Sequence, residues 1–123
     1  MKYIYITLLL ATMNSFGQLV KVDYADGNQK LEGFFTKAQK ANPKKIGVIV
    51  LPAWMGVDAH AKESAENLSK LGYHAFVADI YGVGNNPKNT GEAGKNAGFY
   101  KNNPAEYQKR IQLAIDQLVK AGA

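Results

Sequence analysis

Ile46-Gly47-Val48-Ile49-Val50-Leu51 is an unbroken apolar run that stops at Pro52. A strand with one wet face alternates apolar and polar residues. A run without alternation reads as a strand buried on both faces, as in a parallel sheet. Pro52 has no N–H to give to a ladder and ends it. Beyond it, Asp58 can cap a helix in which Ala61, Ala65, Leu68 and Leu71 recur at helical spacing, and Gly72 is a natural stop. Tyr73 to Ile80, centred on Ala75-Phe76-Val77-Ala78, is a second apolar strand. Strand, helix and strand with short joints form a βαβ unit, which implies a parallel pair joined by a right-handed crossover.

The flanks complete an α/β pattern. Upstream, Val20, Val22 and Tyr24 make the inward stripe of a half-buried strand. Ala25-Asp26-Gly27-Asn28 is a turn, and Leu31-Glu32-Gly33-Phe34-Phe35 is the strand that returns from it, so the two pair as an antiparallel hairpin. Downstream, a Gly- and Asn-rich connection runs from Gly82 to Asn103 and holds a short helix between Thr90 and Tyr100. A last helix follows. Asn103 is its expected cap, Pro104 its first residue and Glu106 the partner in a capping box. Its apolar face reads Tyr107, Ile111, Ala114, Ile115 and Leu118, and Gly122 ends it.

The chain has 123 residues, which suits one domain at most, and its net charge of +5 is modest. Lys37, Lys40, Lys44 and Lys45 flank the turn signal Asn42-Pro43. A nucleic-acid surface would interleave basic residues with aromatics; these read as a solvated loop, and no nucleic-acid partner is expected. Cysteine is absent, which excludes disulfides, a thiolate metal site and a cysteine nucleophile within these residues.

The first residues read as a targeting segment. Lys2 precedes an apolar run from Tyr3 to Met13, and Ser15 and Gly17 are the small residues of a cleavage site before Gln18. The run is shorter than the ~20 residues that span a bilayer. Residues 1–17 are therefore expected to be a secretory signal peptide and 18–123 a partial α/β domain, exported to the periplasm or beyond, with no membrane anchor after cleavage.

Leu51-Pro52-Ala53-Trp54-Met55-Gly56-Val57-Asp58, then Leu71-Gly72-Tyr73, then Ala78-Asp79-Ile80-Tyr81-Gly82 resemble the dienelactone hydrolase family. There a strand ends in His-Glu-Trp-Trp-Gly-Leu or a relative, followed by Leu-Gly-Tyr and by Asp-Leu-Tyr-Gly. The resemblance implies the N-terminal half of an α/β-hydrolase sheet, with strand order 1-2-4-3. It implies hydrolysis of a small ester or lactone through a Cys-His-Asp triad, Ser replacing Cys in relatives, without a cofactor. It gives the residue at Asp79 a turn-shaping role. Two departures stand out. Pro52 and Ala53 occupy the places of the family's His and Glu, the Glu being the residue that helps hold the nucleophile's protonation state. The nucleophile elbow, Gly-x-Cys/Ser-x-Gly, is absent from these residues. On the resemblance it belongs to the next strand, with the acid and His later still.

No catalytic residue is thus expected within this chain, and the chain alone is expected to be inactive. Ser64 and Ser69 lie inside a helix and read as surface serines, not as an elbow nucleophile. His60 and His74 read as structural or surface residues, and no third ligand near them supports a metal site. Gly82-Val83-Gly84 lacks the third glycine of a dinucleotide fingerprint. One part of an acyl-transfer site remains. The loop after the first parallel strand is where α/β-hydrolases take one oxyanion donor from a backbone N–H, which here falls on Trp54. Ala53, Trp54 and Met55 are the candidates for the substrate pocket; Trp54 and Met55 could equally pack under the helix. Without a fifth strand, Ile46 to Leu51 becomes an open apolar edge, inviting self-association. Two other readings fit the same sequence: a small exported ligand-binding module using the loops at Trp54 and Gly82, and a non-catalytic half that completes its sheet with a partner chain.

Overall fold

The computed structural model describes residues 18–123; the expected targeting segment, Met1 to Gly17, lies outside the described residues. The chain runs β1 (Leu19–Asp26), β2 (Gln29–Thr36), β3 (Gly47–Val50), α1 (Ala59–Lys70), β4 (His74–Val77), α2 (Thr90–Asn102) and α3 (Pro104–Lys120). The four strands form one sheet in the order β1-β2-β4-β3. β1 and β2 are antiparallel, β2 and β4 antiparallel, and β3 and β4 parallel. The hairpin and the βαβ unit are those expected from the sequence, and the strand order is the one that the family resemblance implies. Among the described residues no helix is long and apolar enough to cross a membrane.

β4 is the strand buried on both faces. Side chains alternate across a strand, so Phe76 and Ala78 join the cluster under α3, with Ala114 and Leu118, while Ala75 and Val77 join the cluster under α1, with Ala61 and Ala65. The Phe76 ring lies over Gly33 of β2. A Cβ there would come within 2.6 Å of two ring carbons, so glycine is required by the packing. Removing a ring buried like this costs about 3–5 kcal/mol.

β3 differs from its sequence reading. Its four residues are only half-buried, and Ile46 and Leu51 at its ends are 45% and 44% exposed. The strand is as apolar as one covered on both faces, but it is outermost in the sheet and the helices cover it only in part.

The local signals act mostly as read. Gly27 takes a positive φ of 56° and no positive φ occurs at Asn28, as in a II′ hairpin turn. The Asp58 carboxylate accepts from the Ala61 N–H at 2.9 Å. Gly72 ends α1 in a Schellman pair, with Gly72 N–H donating to Ser69 O and Tyr73 N–H to Leu68 O. Three readings change. Leu71 is 66% exposed, because it is the cap residue beyond the last turn. Ser69 is not a surface serine: it is fully buried one turn after Ala65, and its Oγ accepts from Gln39 Nε2 at 2.9 Å. Asn103 makes no side-chain cap on α3, so the expected capping box does not form; its Nδ2 donates to Phe99 O at the end of α2. One asparagine between two abutting helices serves the carbonyl end of the first.

Two measurements test this architecture. The open β3 edge should make the purified chain associate at high concentration, and Ile46→Lys with Leu51→Lys should return it to a monomer in sedimentation velocity. A sharp monomeric NMR spectrum of the unaltered chain would refute this. The second concerns His74, whose Nδ1 accepts from the Ala38 N–H at 3.1 Å. Burial, with the Lys37 charge behind it, holds the imidazole below its ordinary value of 6.5. The folded state therefore binds that proton less readily than the unfolded chain. This contribution to stability is complete above the unfolded value and is lost as pH falls from there toward the folded value. Urea midpoints should fall through that window, and His74→Gln should flatten that part of the profile.

Candidate active site

Parallel pairing places the carboxyl ends of β3 and β4 on one edge. Ala78 N–H still donates to Val50 O, and then both strands release their loops there. The first loop turns at once, Gly56 N–H donating to Ala53 O at 2.9 Å, and reaches the cap of α1. The second is shaped by Asp79, buried with its Oδ1 accepting from Gly82 N–H and its Oδ2 from Glu32 N–H, each at 2.9 Å. Asp79 thus has the turn-shaping role that the resemblance gave it. Tyr24 Oη accepts from the Asp79 N–H at 3.0 Å, and burial pushes that phenol up to about 12. The loops are tied together where Tyr81 Oη donates to Trp54 O at 2.9 Å.

Between the loops and the two later helices lies a cavity of about 330 Å³. Pro52, Ala53, Trp54 and Gly56 form one wall, Ile80 and Tyr81 a second, and Ala97, Tyr100 and Lys101 of α2 with Tyr107 of α3 a third. The tyrosines touch one another: Tyr81 stacks on Tyr100 at 5.7 Å and 30°, and Tyr107 tilts against Tyr100 at 6.2 Å and 55°. Burial, chiefly, raises the phenols of Tyr81 and Tyr100 above their usual value. Both stay neutral at physiological pH, where they can donate hydrogen bonds but cannot act as nucleophiles.

One charged cluster braces the second and third walls. Arg110 is nearly buried; its Nε donates to Asp26 Oδ2 and its Nη1 to Ile80 O, each at 2.8 Å. Lys109 Nζ meets Asp26 Oδ1 at 2.7 Å. The Lys109 hydrogen bond leads in holding the Asp26 carboxyl below its ordinary range, with Arg110 adding to it against the opposing effect of burial. Arg110 also lies 6.0 Å from the centre of the Tyr100 ring. A residue of the hairpin turn and a residue of the last helix thereby fix the backbone from which Tyr81 projects.

Ala53 and Trp54 line the cavity, whereas Met55 is partly buried outside it. Trp54 is half exposed. Among the described residues its N–H makes no hydrogen bond. Ser64 donates to the His60 carbonyl of its own helix, His60 is exposed, and His74 begins β4 at the opposite edge of the sheet. None of them reaches the cavity. Sequence reasoning missed Tyr81, Tyr100, Lys101, Tyr107 and Arg110 as parts of the site. A signal for one of them, and for its partner Asp26, existed. Arg110 lies on the stripe from Tyr107 to Ala114, and Asp26 continues the period-two stripe of Val22 and Tyr24 toward α3.

A cavity at the carboxyl edge of a parallel pair is where open α/β sheets bind their ligands, and the β1-β2-β4-β3 order flanked by helices is the arrangement of an α/β-hydrolase sheet. The profile of the dienelactone hydrolase family matches residues 31–122, and the chain belongs to that family. Two solved structures are similar to it. A protein named m3DLH superposes with a TM-score of 0.75 at 27% identity. A dienelactone hydrolase-like promiscuous phosphotriesterase from metagenomic libraries superposes with a TM-score of 0.73 at 33% identity. Each match covers 83% of this chain and 42% of the other, so the chain spans less than half the length of either. No curated protein matches the sequence.

Arg110→Ala should leave Asp26 with one partner and the buried Ile80 carbonyl with none. The expected loss is about 3 kcal/mol in urea denaturation. An unchanged midpoint would show that the cluster braces nothing.

Proposed function

We propose that these residues form the pocket-bearing part of a dienelactone-hydrolase-type enzyme, which transfers the acyl group of a small ester or lactone to water. The observation that carries this is the cavity at the carboxyl edge of β3 and β4, with Trp54 in its wall. An ester carbonyl held there would receive a nucleophile from sequence outside these residues. The Trp54 N–H would then stabilise the developing oxyanion together with a second donor on the nucleophile's side. A His base with its acid partner, also from outside these residues, would take the nucleophile's proton and pass it to the alcohol oxygen as the C–O bond of the ester breaks, and water would then attack the acyl-enzyme and release the acid. Pro52 and Ala53 in place of the family's His and Glu argue against dienelactone itself as the substrate. The similarity to a promiscuous phosphotriesterase makes a phosphotriester a fair second substrate, since its attacked phosphorus also develops a charged oxygen.

A chimaera tests this reading. Residues 31–122 would replace the matching segment of that phosphotriesterase. The folded chimaera should hydrolyse para-nitrophenyl acetate, whereas the chain alone should not exceed the buffer rate. Trp54→Pro removes the N–H and should lower kcat by about 10²–10³, with Trp54→Phe much milder. A folded chimaera that binds esters without turnover would sink the hydrolase reading and favour a binding module. We further propose that Met1 to Gly17 is removed on export; the protein recovered from the producing cells should begin at Gln18, and an intact Met1 would overturn this.

A further inference from the structure

The walls of the cavity point to its ligand. Trp54, Tyr81, Tyr100 and Tyr107 come from four separate segments and converge on one space. The other side chains that share it are small, apart from Pro52, Ile80 and the long, charged Lys101. Tyr81, Tyr100 and Tyr107 form a continuous run of rings in offset and tilted contact, the geometries that aromatic pairs prefer. A further ring can extend that run, whereas a saturated chain gains only its buried area. The volume, about 330 Å³, is at the small end for ligand pockets and holds one ring with a short arm.

We propose that the cavity selects a single aromatic ring, so that the substrates are small aryl esters or aryl-substituted lactones with the ring seated against Tyr100 and Tyr107. The word substrate rests on the hydrolase reading above; the selection of a ring does not. Tyr100 is the central element, since it touches both of the other tyrosines. The Tyr100 phenol, which makes no hydrogen bond among the described residues, can give one to the ester oxygen; the Tyr81 proton is already donated to Trp54 O, and Lys101 brings the one charge in the wall.

Trp54 is the single tryptophan of the chain, 49% exposed and part of the cavity wall. Its fluorescence therefore reports occupancy directly. Titration of the chain with phenyl acetate should quench or shift the emission at concentrations about ten-fold lower than cyclohexyl acetate, which matches it in size without an aromatic face. Tyr100→Leu should abolish the difference. Tyr100→Phe, which keeps the ring at that place, should preserve it, and an unchanged circular-dichroism spectrum and melting curve would show that Tyr100→Leu is folded. Equal affinities for the two esters, or a preference that survives Tyr100→Leu, would overturn the proposal. The two readings fail separately. An inactive chimaera leaves the fluorescence preference standing, whereas a chimaera with equal kcat/KM for benzyl and cyclohexylmethyl acetate, whose alcohols leave about equally well, sinks only the ring selection.

Discussion

Everything else in this structure depends on the parallel pairing of β3 with β4. β4 is short, but every one of its side chains is buried, and it divides them between two helical layers. Burial on both faces supplies most of the driving force available to so small a sheet. Parallel direction has a second effect. It sends both outgoing loops to one edge, and that edge is where a concave space can form without interrupting the ladder. An antiparallel pair would have sent the loops to opposite ends and left no common cavity.

The rest of the site hangs on this edge through polar ties. Asp79 gathers the N–H groups of Gly82 and Glu32, and its own N–H is held by Tyr24. Arg110 joins the hairpin turn to the Ile80 carbonyl. Apart from the local bond between Asp79 and Gly82, each tie links residues far apart in sequence, and together they fix backbone segments rather than an apolar surface. The cavity wall is thereby held from behind. This is how a pocket built largely on loops keeps a defined shape, which weak loop packing alone would not give. The tyrosines then fill the front, and Tyr81 and Tyr100, whose phenols burial raises above their usual value, fit a largely apolar site with few polar handles.

The family resemblance was legible in Trp54-Met55-Gly56, Leu71-Gly72-Tyr73 and Asp79-Ile80-Tyr81-Gly82 because those residues sit at element ends. Chain direction changes there, and few residue types are tolerated. The same ends carry the Schellman cap at Gly72 and the Asp79 turn. The cavity itself was only half legible. Ala53 and Trp54 could be placed from the loop that carries them, but Tyr100 and Tyr107 lie on helices whose docking angle no local pattern encodes. Tyr107 read as part of its helix's apolar face, and Tyr100 only as the end of a short helix.

The sequence by itself determined the hairpin, the βαβ unit, the helix ends and the relation to dienelactone hydrolases. Those follow from period, turn chemistry and short motifs, which act over a few residues. Tertiary structure alone decided that Leu71 faces water, that Ser69 is sealed, that Asn103 serves the helix before it, and that Asp26 meets Arg110 across the sheet. In each case the outcome depends on what another segment brings within hydrogen-bond reach, or fails to cover. The apolar run at Ile46 to Leu51 shows both levels at once. Its composition demanded burial, and its place at the edge of the sheet withheld it.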